Sequence, residues 1–171
     1  MRNFYILFTF VFFGYACKAQ ESFIEILGKT NINSFRCINQ NIREVNWYLN
    51  DKNFNRKLPE ISLQVSDFDC QNRLITKDFK NFLDAKNYPN LVIRFLFITK
   101  NSTNTYRANL EVNMMNRRKI YAVDLTYYEN KLLGNKTVKF SDFGIEPPKK
   151  MAGMIMVKDP IDLVFSLKTS N

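Results

Sequence analysis

The chain contains no histidine and only three cysteines. Without histidine there is no Ser-His-Asp triad, no cysteine–histidine pair and no histidine-ligated zinc site. Three thiolates are one short of an all-cysteine tetrahedral zinc site. Most routes to hydrolytic catalysis are thereby closed, although carboxylate chemistry is not. Nor is there an apolar run of the ~20 residues that a membrane-spanning helix needs. The longest, Phe4 to Phe13, is half that length. Internal repeats, linkers and low-complexity segments are lacking too.

What is present suits one domain. The 171 residues are too few for two comfortable domains, and 46% hydrophobic and 15% aromatic residues supply a core and argue against disorder. The formal charge is +9. Its plain reading is a solvated surface; the sharper one is attraction to anionic lipid headgroups or pyrophosphates. The cations are scattered, and only Arg117-Arg118-Lys119 is a compact run, which fits a hairpin tip better than a nucleic-acid groove.

Met1 to Ala19 reads as a signal peptide, with Arg2 before the apolar run. Two exits stay open. Cys17-Lys18-Ala19 fits a small-x-small cleavage rule that releases a chain beginning at Gln20. Alternatively Cys17 is a lipidation site, although Gly14 stands where an aliphatic residue is usual. Release removes Arg2 and Lys18, taking +9 to +7. The expected location is periplasmic or secreted. Once Cys17 departs, Cys37 and Cys70 are an even pair in an oxidising compartment, and a disulfide between them is expected.

Residues 20–171 read as a single β domain. Phe23–Lys29 and Ile32–Ile38 are a strand pair or one long strand bent at Gly28, and Ile42–Leu49 continues the pattern. Asp51–Arg56 is a polar turn. Ile61, Leu63 and Val65 alternate with polar residues, as a half-buried strand requires. Leu74–Lys86 is the only helical text, with Thr76 as N-cap, Phe79, Phe82 and Leu83 on one face, and Tyr88-Pro89 as its end. Asn90–Thr99 is a long strand, apolar on both sides. Tyr106, Ala108, Leu110 and Val112 give the cleanest alternation in the chain. Further strands cover Ile120–Tyr128 and Lys131–Phe140, with a bulge suggested at Gly134-Asn135. After Pro147-Pro148, Met154–Val157 reads as a short strand, Asp159-Pro160 as a turn or bulge, and Ile161–Leu167 as the last strand. The fold expected is all-β: an eight-stranded antiparallel barrel with one short helix.

The text from Lys139 to Leu167 resembles the C-terminal half of the YceI-like family. The resemblance rests on Asp142-Phe143-Gly144-Ile145, Pro147-Pro148, Gly153, Asp159, Ile161, Phe165 and Leu167, with Tyr88-Pro89 in support. It departs at Met114–Arg118, where the family usually has a glycine-containing turn. It implies a lipocalin-like barrel that binds polyisoprenoid chains in an elongated apolar channel. With it, the inward candidates Phe95, Phe97, Tyr106, Tyr127, Phe143, Met154, Met156 and Phe165 become ligand-binding candidates, methionine and aromatic side chains being adaptable to long apolar ligands. Arg94 or Arg117 could orient a phosphate at the mouth.

Two functions follow from different classes. One is a non-enzymatic carrier of an isoprenoid-like lipid, with no cofactor beyond that ligand, no metal, no nucleic acid and no membrane span. The other is a secreted structural or interaction module with a filled core. A homodimer stays open in either case. Asp67 and Asp69 could in principle hold a cation, but solvated turn residues are the plainer reading, and Asp142 and Asp159 are expected to cap turns through their own backbone.

Overall fold

The computed structural model describes residues 22–42 and 58–169. The expected signal peptide, most of the Ile42–Leu49 strand and the Asp51–Arg56 turn lie outside the described residues.

Alternation of apolar and polar side chains builds the sheet. Strand β5 (Thr105–Met114) buries Tyr106, Ala108, Leu110, Val112 and Met114 and turns the residues between them outward. The other strands are β1 (Phe23–Thr30), β2 (Ser34–Asn39), β3 (Glu60–Gln64), β4 (Asn90–Lys100), β6 (Arg117–Tyr128), β7 (Lys131–Lys139), the two-residue β8 (Lys149–Lys150) and β9 (Ile155–Lys168). All pairings are antiparallel. The order is β2-β1-β9-β7-β6-β5-β4-β3, with β8 on β9 to one side. The eight-strand path curls into a lipocalin-like barrel around one hydrophobic core.

The ends of the path are β2 and β3, and four links join them and the residues just after them in place of a ladder, one being the hydrogen bond from Asn41 to Asp67 at 2.8 Å. Ile38 and Asp69 form an isolated antiparallel bridge, with N–H to carbonyl distances of 2.8 and 2.9 Å. Asn39 donates to the Gln64 carbonyl at 3.1 Å. Cys37 and Cys70, 33 residues apart, are joined by a disulfide and are both buried. The expected pairing is present, at the seam of the barrel.

Helix α1 (Arg73–Phe82) follows the seam. Its N-cap is Asn72 rather than Thr76: the Asn72 side chain accepts from the N–H groups of Leu74 and Ile75 at 2.9 and 3.1 Å. Thr76 accepts instead from the Cys70 N–H at 2.9 Å. Phe79 and Leu83 are buried; Phe79 packs on Phe68 at 5.5 Å, and Phe82 meets Phe140 edge-on at 4.9 Å.

The hairpin Met115-Asn116 makes its turn without glycine. Both residues have positive φ (49° and 59°), as do Glu129-Asn130 (47° and 58°) in the next hairpin. These two-residue left-handed turns match the twist of the flanking strands.

Glycine matters where an aromatic ring crosses the backbone. A Cβ on Gly134 would lie 2.4 Å from the Phe165 ring and 2.7 Å from Leu125. Gly134 is therefore a close-approach site inside an unbroken β7–β9 ladder, not the bulge suggested by the sequence. Gly134→Ala is expected to destabilise by about 1–2 kcal/mol through overpacking. Urea unfolding checks this, and an unchanged midpoint would show that Phe165 can move aside.

The C-terminal strand differs from expectation. Met154–Val157 and Ile161–Leu167 are not separate strands; β9 runs through Asp159-Pro160 without a turn. Pro160 faces Lys139 at the last register pair with β7, while the β1–β9 register shifts between Gly28 and Thr30. A missing N–H is tolerated where the ladder ends.

Candidate functional site

Four segments meet at one end of the barrel and enclose an apolar cleft of about 690 Å3. The first is the β1–β2 hairpin tip with Ile32 and Phe35. The second is α1, contributing Leu74, Ile75, Phe79 and Phe82. Phe140, just after β7, is the third. The fourth runs from Pro148 through Met151 to Ile155 and Val157. Phe79 and Phe140 are core residues, so the cleft reaches from the surface down to the core.

Polar links hold these walls together. Asn31 donates from its side chain to the Met154 carbonyl at 2.8 Å and accepts from the Met156 N–H at 3.0 Å. The Lys150 ammonium lies 3.2 Å from the Asp78 carboxylate, tying the β8 segment to α1. Next to Phe140, Asp159 accepts from the Ser141 N–H at 2.8 Å and its hydroxyl at 2.6 Å. The Tyr121 hydroxyl donates to Asp142 at 2.8 Å. Neither aspartate caps its own turn, as the sequence suggested; each reaches a partner distant in the chain. Gly144, at φ 67°, ends the short 3-10 helix that begins at Phe140.

Burial and then the Asp142 hydrogen bond raise the pKa of Tyr121, so its hydroxyl stays a donor. At Asp159 burial opposes the charge, but the hydrogen bonds from Ser141, aided by Lys139, outweigh it and lower the pKa. A depressed carboxylate stabilises the fold above its unfolded pKa of about 4 and loses that contribution as pH falls through the folded value. Asp159→Asn is expected to cost about 1–2 kcal/mol at neutral pH, discounted for partial exposure. The difference from wild type should shrink below about pH 4. Unfolding curves across that window check it, and a pH-independent difference would contradict it.

The residues expected to contact ligand are scattered by the structure. Phe95, Tyr106, Phe143 and Phe165 are buried, and Tyr127 is half-buried. Phe97, Met154 and Met156 are exposed, which corrects their inward reading. A bulge between β4 and β5 is the reason for Phe97: Phe95 pairs with Leu110 and Phe97 with Asn109, so Leu96 is an extra residue and Phe97 turns outward at 54% exposure. Met156 belongs to the outer face of β9, because Ile155 and Val157 share parity with Ile161. None of the eight lines the apolar cleft.

Arg94 is engaged by Glu60 at 2.7 Å and Glu111 at 2.9 Å, so it is not a free phosphate ligand. Arg117 packs beside Gly144. Asp67 accepts from the Asn41 side chain at 2.8 Å, across the seam, and Asp69 accepts from the Gln71 N–H at 2.9 Å within its own turn. Among the described residues no three His, Cys, Asp or Glu side chains cluster to hold a metal. No helix among them is long and apolar enough to cross a membrane.

A second, more open cavity of about 770 Å3 lies where β6 and β7 part beyond Leu125 and Gly134. Asp124, Asn135, Lys136 and Thr137 line it with Val164 and Phe165, so it lacks the continuous apolar wall of the first.

The sequence matches the model of the YceI-like domain over residues 15–169. No match is found among the curated proteins. The crystal structure of Burkholderia cenocepacia BcnA is similar, with a TM-score of 0.68 at 16% identity, covering 85% of this chain and 94% of that one. The Campylobacter jejuni YCEI protein gives 0.54 at 14% identity over 74% and 87% of the two chains. A polyisoprenoid binding domain from Saccharophagus degradans, implicated in plant cell wall breakdown, gives 0.57 at 8% identity over 85% and 92%. These identities are low, and the structural likeness concerns the fold; the family match spans nearly the whole described chain, and the protein belongs to the YceI-like family.

Proposed function

We propose that this protein binds an isoprenoid-like lipid, without catalysis, outside the cytoplasm, and that the lipid chain enters the apolar cleft between α1, the β1–β2 tip and the Pro148–Val157 segment. The cleft carries this reading. Its volume is within the usual range for small-molecule sites, and Phe79, Phe82 and Phe140 offer burial with few fixed donors. Affinity then comes from the chain more than from the headgroup. The relative from Saccharophagus degradans, a polyisoprenoid binding domain, supports the ligand class. The Cys37–Cys70 disulfide supports an oxidising compartment.

Protein purified from its own host should yield a long-chain apolar lipid on solvent extraction, seen by mass spectrometry at close to one per chain. If no lipid is extracted, and an isoprenoid quinone does not bind the extracted protein, the reading fails and a surface interaction module takes its place.

A further inference from the structure

The mouth of the cleft exposes more apolar surface than a solvated rim needs. Ile32 is 69% exposed, Leu74 68%, Met151 63% and Met154 65%. With Ile75 and Met156 these are six of the ten exposed large hydrophobics among the described residues. They come from three separate segments, yet share one rim. Ile32, Leu74, Ile75 and Met151 line the same cleft, and Asn31 ties Met154 and Met156 to the hairpin tip. At Met151-Ala152 the backbone adopts positive φ (51° and 53°) without glycine, a conformation L-residues rarely take, and Met151 is held outward there.

The same three segments are basic. Lys29 adjoins the hairpin tip, and Lys149 and Lys150 precede Met151. Arg73, Lys77 and Lys80, spaced i, i+4 and i+7, form a cationic stripe on the face of α1 turned away from Phe79 and Phe82, with the exposed Leu74 at its edge. Against these six cations the segments 29–34, 73–82 and 149–156 hold one carboxylate, Asp78, already paired with Lys150.

We propose that this rim docks on an anionic lipid bilayer, with Ile32, Leu74, Met151 and Met154 entering the headgroup boundary and the surrounding lysines and arginine facing the lipid phosphates. Apolar tips with cations on the same segments are the combination that interfacial binding requires: the tips supply burial and the cations attraction to a negative surface. Docking in this orientation places the cleft opening against the bilayer. The inference goes beyond the ligand reading, since a rim can dock whether or not the cleft is filled.

The test is flotation with vesicles of phosphatidylcholine alone or mixed with phosphatidylglycerol, using the protein as its host processes it. Wild type should bind the anionic vesicles at least about tenfold better than the neutral ones and be released by added salt. The variant Ile32→Ser, Met151→Ser, Met154→Ser should lose at least about tenfold in that binding. Its three positions are exposed, so an unchanged circular dichroism spectrum is expected. Wild type and variant share one N-terminus, so their difference reports the rim. Equal binding to both vesicle types, or full binding by the variant, overturns the proposal. So does a wild type that ignores vesicles but forms a dimer the variant cannot form, which would make the rim a self-association surface. Solvent extraction reads the cleft and flotation reads the rim, so the two proposals can fail separately.

Discussion

Replacing both Cys37 and Cys70 with alanine is expected to lower the unfolding free energy by about 3–4 kcal/mol. The bond closes a loop of roughly 34 residues, and the chain-entropy model gives that range for such a loop. The position adds to the argument. Within the described residues β2 and β3 share no ladder, and the disulfide lies beside the single Ile38–Asp69 bridge that joins the two ends of the sheet. The other links, from Asn39 to the Gln64 carbonyl and from Asn41 to Asp67, are single hydrogen bonds, worth about 1 kcal/mol net each. Cutting the covalent link leaves the seam to contacts that are individually weak. Guanidinium unfolding of the variant and of wild type, with and without reductant, reads the loss. Reductant should take wild type to nearly the same midpoint as the variant. If oxidised wild type and the double variant unfold together, the bond adds no stability and the seam is held by packing alone.

Much of the barrel was legible because most strands have one buried face. In β5 every second residue, Tyr106 to Met114, is buried, so period two is explicit in the sequence. The Cys37–Cys70 pairing was also foreseeable, from cysteine parity and an expected secretion signal, although its place at the seam was not. Other features leave no such trace. Strand β4 is apolar on both sides, so alternation cannot locate an extra residue, and the bulge at Leu96 turned Phe97 outward unannounced. Turn geometry was less legible than turn position. Met115-Asn116 is a left-handed hairpin turn in which glycine is absent and only the asparagine is a usual signal. Asp159 has a local partner by sequence rules, yet its hydrogen bonds go to Ser141, which only the β7–β9 pairing brings close.

The site was less legible than the fold, for a related reason. Aromatics and methionines on strands were assigned to a channel, but those that are inward, such as Phe95 and Phe165, are core. The cleft is instead built from tips and a helix: Ile32 between two asparagines, Leu74 and Ile75 at the start of α1, Met151 after two lysines. Each breaks a local rule, since apolar residues occupy positions where turns and helix starts are usually polar. That misplacement was the available signal. It has no period, so a search for alternation passes over it.

Filling the cleft should therefore weaken ligand binding, whereas enlarging a side chain on the outer face of the sheet should not. Ile155→Trp is the preferred variant, because Ile155 lines the cleft and is only partly buried, which leaves the larger ring room without repacking the core. A lipid chain excluded from ~100 Å² of apolar wall loses about 2.5 kcal/mol at ~25 cal/mol per Å². That corresponds to a rise in Kd of somewhat under about a hundredfold. Phe97→Trp serves as the contrast. Its side chain faces solvent past the β4 bulge, so the change should leave both Kd and stability within error of wild type. Titration of extracted protein with an isoprenoid quinone, followed by intrinsic fluorescence, gives the two values; unfolding curves confirm that each variant is folded. An Ile155→Trp variant that binds as tightly as wild type, beside a Phe97→Trp variant that does not, would move the ligand from the cleft to the outer face of β4. If both bind as wild type does, the chain lies elsewhere, and the wider opening between β6 and β7 becomes the next place to test.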